Sequence, residues 1–177
     1  KIGNNLESGI RTMIKLILLD VDGTLTDGGI YKGNSGEELK KFHVRDGYTI
    51  VYVNKYLNKK FGIITGKESK IVADRAKELK IEILYQGVSD KLTILEKIMK
   101  EHSLKKEEIA YIGDDLNDLR IMKEVGLKGA PSDAIEEILE IADFVSTKEG
   151  GNGAVREFIE FIVKKEELWQ EFTNKCK

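Results

Sequence analysis

The chain has 177 residues, 41% of them hydrophobic and 34% charged, with a formal charge of −2 and one cysteine, Cys176. That is enough for one packed core and short for two. The balanced charge excludes a nucleic-acid footprint or a basic membrane-surface helix, no apolar run approaches the roughly 20 residues of a membrane span, and a lone cysteine excludes an internal disulfide. A cytoplasmic protein acting on a small molecule is therefore expected.

Residues 1–12 are polar and without periodicity, and read as a leader or non-native segment ahead of a single domain over 13–165 and a C-terminal tail over 166–177. The first buried strand is expected in "IKLILL" (14–19), directly before "DVDGT" (20–24). Two short strand-like pieces flank Lys32-Gly33-Asn34-Ser35-Gly36, which predicts a β-hairpin over 28–44 inserted after that strand. Further strands are expected in "FGIIT" (61–65), "IEILY" (81–85) and "IAYIG" (109–113). Between them, Val72, Ala76 and Leu79, then Leu95, Ile98, Met99 and His102, recur at helical spacing. Ser132, followed by Asp133, Glu136 and Glu137, reads as a helix N-cap, and Val155, Phe158, Ile159 and Ile162 as a core-facing stripe. Alternating strands and helices predict an α/β fold: a doubly wound, Rossmann-like parallel sheet with the hairpin insertion and no cap domain.

On such a sheet Asp20 and Asp22, then Thr65 and Gly66, then Asp114 with Asp115 or Asp118, all follow C-terminal strand ends, the edge where open α/β sheets bind ligands. Lys91, at a helix start, can aim a cation at the same edge. Carboxylates gathered in a cleft repel one another unless a hard cation is present, and an all-oxygen ligand set suits Mg²⁺, which reaches across to a phosphate. This predicts phosphoryl transfer. Asp20, nearer the sheet, is expected to be the nucleophile and to form an aspartyl phosphate, and Asp22 the general acid and base. Thr65, Gly66 and Lys91 would bind the phosphoryl group, with Asp20 and Asp114 on the metal.

In order and spacing, "DVDGT", the Thr65 of "IITG", Lys91 and "GDDLND" (113–118) resemble the four motifs of the haloacid dehalogenase superfamily of phosphohydrolases. The resemblance implies the same roles and adds the backbone carbonyl of Asp22 as a metal ligand. It also implies that Asp115 or Asp118 is the second acid of the last motif. A chain without a cap domain either accepts large substrates or borrows a lid from another subunit.

Three further stretches, "DGTLTDGGIYKGNSGEELKKFHVRDGYTI", "YQGVSDKL" and "STKEGGNGAVRE", are similar to the branch of tetrameric 3-deoxy-D-manno-octulosonate (KDO) 8-phosphate phosphatases of lipopolysaccharide biosynthesis. The branch implies a homotetramer joined through its hairpins, with each site completed by a neighbour. Relatives on the same scaffold act on nine-carbon, sialic-acid-type 9-phosphates, and Thr24 does not discriminate between the two. Arg45 and Asp46 are candidates for the sugar carboxylate or for a structural ion pair, and Arg75 for substrate or a salt bridge. Arg156 could close over a site from the glycine-rich loop at 149–154, which is read as mobile. His43 and His102 read as structural. The rival from another class is a receiver-type phosphoacceptor domain, but there a paired acid cluster comes first and a lone phosphorylated Asp mid-chain, the reverse of this order.

Overall fold

The computed structural model of the chain describes residues 12–177, so the expected leader lies outside the described residues except for Thr12. Eight strands and seven α-helices alternate among those residues. The first strand, β1 (Leu16–Leu19), is wholly buried and is followed by a tight turn over Val21–Leu25. The hairpin consists of β2 (Tyr31–Lys32) and β3 (Glu38–Leu39), paired antiparallel and closed by a bridge between Thr26 and Phe42. Then follow α1 (Val44–Leu57), β4 (Lys60–Ile64), α2 (Lys70–Glu78), β5 (Ile83–Tyr85) and α3 (Lys91–His102). The second half runs β6 (Ile109–Ile112), α4 (Leu119–Met122), β7 (Leu127–Ala130), α5 (Glu136–Ile141), β8 (Phe144–Val145), α6 (Ala154–Lys165) and α7 (Trp169–Lys175).

The main sheet has six strands in the order β5-β4-β1-β6-β7-β8, every pair parallel. β1 is central, with Leu16–Leu19 in register with Lys60–Ile63 on one side and Ile109–Ile112 on the other. The chain reverses direction of travel there, which opens a crevice at the C-terminal ends of β1, β4 and β6.

Alternation along β1 divides the core into two layers. Ile17 and Leu19 pack with Ile50, Val53, Val72, Ala76, Phe158 and Ile159 on one face. Leu16 and Leu18 pack with Leu95, Ile98, Ile121, Met122 and Ile138 on the other. A strand whose two faces are both covered must be apolar throughout, and "LILL" is.

The expected α/β class, the four expected strands and the hairpin are all present. Three features differ. The sheet gains β7 and β8, which escape the pattern because "LKGA" carries a lysine and a glycine and "FV" has only two residues. Ser132 is not the N-cap of α5, whose cap residue is Ile135. The intervening turn is pinned to the site instead: the Ile135 N–H donates to the Asp114 carbonyl at 3.0 Å, and the Gly150 N–H donates to Asp133 Oδ1 at 2.9 Å. The C-terminal tail contains α7, and its Phe172 is buried against Tyr56 and Trp169.

Candidate active site

Asp20 continues β1 in an extended conformation, its N–H donating to the Ile112 carbonyl at 3.1 Å, which lays it along the floor of the crevice. The chain then turns at Gly23, whose φ of +88° favours glycine. Any Cβ there would lie 2.1 Å from Asp114 Oδ2, so this glycine is what lets the first and last acidic segments meet. The turn is locked by Thr26, whose N–H and hydroxyl both donate to the Val21 carbonyl.

The last motif folds back on itself. A Cβ on Gly113 would sit 2.4 Å from Asp118 Cγ, so Gly113 makes room for that buried carboxylate. Asp118 Oδ2 accepts the N–H groups of Asp114 (2.9 Å) and Asp115 (3.2 Å), while Oδ1 accepts from Tyr111 Oη (2.5 Å) and Lys91 Nζ (2.7 Å). Lys91, the first residue of α3, also donates to Asp20 Oδ1 at 2.6 Å and to Tyr111 Oη at 3.0 Å. All three ammonium protons are thereby engaged.

A pocket of about 310 Å³ opens above this layer, lined by Asp20, Asp22, Thr65, Gly66, Lys67, Asp115 and Asn117. Three chain segments distant in sequence thus contribute to one cavity. A second, largely apolar cavity of about 280 Å³ lies between Ile14, Leu127, Ile162 and Lys165, but none of the predicted site residues lines it.

Burial pushes the Asp20 carboxyl well above its usual range, the nearby Asp118 charge adds to this, and Lys91 opposes it. Burial likewise raises Asp114 to about 6, against hydrogen bonds from Asp20 and Thr24 that favour its charge. Burial alone would lower the Lys91 pKa, yet Asp20 and Asp118 overcome it and hold the ammonium above its ordinary value. One lysine among these acids leaves a surplus of negative charge, the condition a divalent cation relieves.

Asp20, Asp114 and Asp118 each offer an oxygen within 4.8 Å of the others. Asp118 is already bonded by two side chains and two amides, so the oxygens fitted to a cation are those of Asp20 and Asp114. Asp114 is held in place by the Thr24 hydroxyl, which donates to its Oδ1 at 2.9 Å.

The two candidates for the second acid separate clearly. Asp118 is buried and bonds Lys91, whereas Asp115 accepts from the Leu116 N–H at 2.7 Å and lines the pocket mouth.

The five candidate substrate-binding residues stand outside this pocket. None of Thr24, Arg45, Asp46, Arg75 and Arg156 lines the Asp20 pocket. Thr24 is engaged with Asp114, as above. Asp46 is buried and its Oδ1 accepts the Arg156 N–H at 2.8 Å, so it caps the first turn of α6. Arg45 and Arg156 line a separate groove with His43 and Lys148, and Arg156 pairs with Glu160 at 3.1 Å. Arg75 pairs with Glu78 at 3.1 Å, lies over the Phe42 ring, and lines a groove of about 470 Å³ that also contains Lys40. The glycine-rich loop packs on the turn after β1, the Gly151 N–H donating to the Thr24 carbonyl at 3.0 Å. His43 is structural, its Nδ1 accepting the Arg45 N–H at 3.2 Å.

Sequence reasoning missed Lys40, Lys67, Tyr111 and Asn117. Lys67 and Asn117 adjoin recognised motifs and could have been included on proximity. Tyr111 is hidden inside an apolar run, and nothing local distinguishes Lys40 from Lys41.

A family model described as haloacid dehalogenase-like hydrolase matches residues 34–159. The chain is 46% identical over 150 residues to the 3-deoxy-D-manno-octulosonate 8-phosphate phosphatase KdsC of Salmonella typhi, a match covering 85% of this chain and 79% of that protein. It superposes on the crystal structure of the Yersinia pestis phosphatase of the same name with a TM-score of 0.87 and 43% identity, over 90% of this chain and 86% of that one. On the Moraxella catarrhalis phosphatase, solved with a magnesium ion, a phosphate ion and a KDO molecule, the TM-score is 0.90 at 39% identity, over 94% and 95% of the two chains.

Proposed function

The chain belongs to the haloacid dehalogenase-like hydrolase family, and from that premise we propose that it hydrolyses KDO 8-phosphate to KDO and phosphate in lipopolysaccharide biosynthesis, with Mg²⁺ as cofactor. The observation that carries the chemistry is a single pocket lined by both Asp20 and Asp22, with Lys91 bonded to Asp20 beneath it. The names and identities of the relatives support the sugar.

In the first half-reaction an Asp20 oxygen attacks phosphorus, the bond from phosphorus to the sugar oxygen breaks, and Asp22 gives its proton to that oxygen. In the second, Asp22 takes a proton from water, the hydroxide attacks the aspartyl phosphate, and its acyl-phosphate P–O bond breaks to release phosphate and restore Asp20. Thr65 and Gly66 hold phosphoryl oxygens, and Lys91, oriented by Asp118, balances the charge on Asp20. Mg²⁺, held by Asp20, Asp114 and the Asp22 carbonyl, supplies positive charge opposite the phosphoryl oxygens. Asp22 would be idle in a receiver-type phosphoacceptor, and the family gives that alternative no support.

We read residues 13–165 as one hydrolase domain acting in the cytoplasm as a homotetramer. The exposed Ile30, Tyr31, Leu39 and Val44 on and beside the hairpin support subunit contact there, and Arg75, a candidate ligand, lines a groove with Val44 and Lys40 beside that face. The alternative substrate is a nine-carbon sugar-acid 9-phosphate. Phosphate release measured on both esters should favour KDO 8-phosphate, vanish in Asp20→Asn, and stop with EDTA until Mg²⁺ is returned. Preference for the nine-carbon ester would overturn the substrate, and normal turnover by Asp20→Asn would overturn the nucleophile.

A further inference from the structure

We infer that Lys40, brought in by the return strand of the hairpin, is a positioning residue for Asp22, so that the hairpin and the general acid act as one unit. This rests on the reading of Asp22 as the acid that protonates the leaving oxygen. The Lys40 side chain is only 5% exposed, and its Nζ lies 2.6 Å from Asp22 Oδ1. Among the described residues, it is the only side chain that hydrogen-bonds the Asp22 carboxylate, which is itself 40% exposed.

A lysine this buried is tolerated only where its charge is met. Here it is met from both sides, because Glu38 Oε1 lies 3.7 Å from Lys40 Nζ and 3.1 Å from Lys67 Nζ. Alternating charges Asp22, Lys40, Glu38 and Lys67 therefore cross the rim of the site from the first motif to the second, and both end members line the catalytic pocket. The ammonium fixes the rotamer of Asp22, the acid that protonates the departing alkoxide. The hairpin itself is two residues per strand, too short to be stable alone, so whatever orders it also orders the acid.

A leaving group that needs no proton separates positioning of the acid from every other role. First-turnover release of the leaving group would be measured by rapid quench for KDO 8-phosphate, glycerol 1-phosphate and p-nitrophenyl phosphate. Lys40→Met should slow release from both alkyl esters by about 10- to 100-fold, with KM little changed, and leave release of p-nitrophenol within about twofold, while Lys40→Arg restores most of the alkyl rate. Equal losses on all three esters, no loss on any, or a rise in KM confined to the sugar acid would overturn the inference, the last by making Lys40 a substrate contact. If Lys40→Met does not fold, Lys40→Gln is judged by the same outcomes. Asp22→Asn serves as the control. If it spares the alkyl esters, the acid assignment has failed and takes the inference with it; if it shows the leaving-group pattern and Lys40→Met does not, only the inference has failed.

Discussion

Asp46, a candidate either for substrate or for a structural ion pair, makes structural contacts in this fold. It is buried beside α6 with one oxygen bonded to the Arg156 N–H and Oδ2 without a hydrogen-bond partner. Burial raises its pKa to about 6, against the Arg156 N–H and the nearby Arg75 and Arg156 charges. The sign follows from linkage: between about pH 4 and pH 6 the folded state binds a proton that the unfolded state has released, so the Asp46 contribution to stability falls as pH rises through that window. The loss amounts to about 3 kcal/mol once both states are ionised. Asp46→Asn retains an oxygen for the Arg156 amide and removes the titration. In urea melts it should gain on the natural protein from pH 4 to pH 7 by an amount of that order; a constant difference across the range would contradict the account.

Among the elements, α7 is the one that composition concealed. Its seven residues lie in a charged tail, and an isolated helix of that length is unstable in water. What holds it is packing: Phe172 is 2% exposed and contacts the rings of Tyr56 on α1 and Trp169, while the Lys175 ammonium donates to the Tyr56 carbonyl at 3.1 Å. Phe172→Ala should therefore cost about 3–5 kcal/mol in chemical denaturation. A change under about 1 kcal/mol, the scale of an ordinary surface substitution, would show that the tail does not dock.

At the scale of the whole molecule, the two edges of the sheet serve different ends. At the N-terminal edge, Lys59 is buried in an ion pair with Glu166 and donates to the Ile14 carbonyl at 2.7 Å, while the Ile14 N–H donates to Glu166 Oε1 at 2.5 Å. These bonds join the entry of β1, the entry of β4 and the end of α6, so that edge is closed by structure. The C-terminal edge carries the acids and the hairpin, whose Ile30 and Leu39 are 75% and 65% exposed. If that face joins subunits into the proposed tetramer, replacing both residues with glutamate places charges in an apolar contact, and sedimentation should report monomers for the variant and a larger assembly for the natural chain. A double variant that remains tetrameric would place the contact elsewhere.

The sequence by itself determined the class of fold and pointed to the proposed reacting groups, because both are local signals. A fully apolar four-residue run is suited to a central strand, and two aspartates, a glycine and a threonine at its end carry their chemistry wherever the strand goes. The tertiary structure decided everything that depends on which side of a turn or groove a side chain meets. It separated Asp118, bonded to Lys91, from Asp115 in the pocket lining, set Thr24 against Asp114 and Asp46 against the Arg156 amide, and brought Lys40 rather than Lys41 against Asp22. Those outcomes turn on contacts between segments far apart along the chain, helped at Asp114 and Asp118 by the room that Gly23 and Gly113 leave, and no periodicity in the amino-acid order encodes such a meeting.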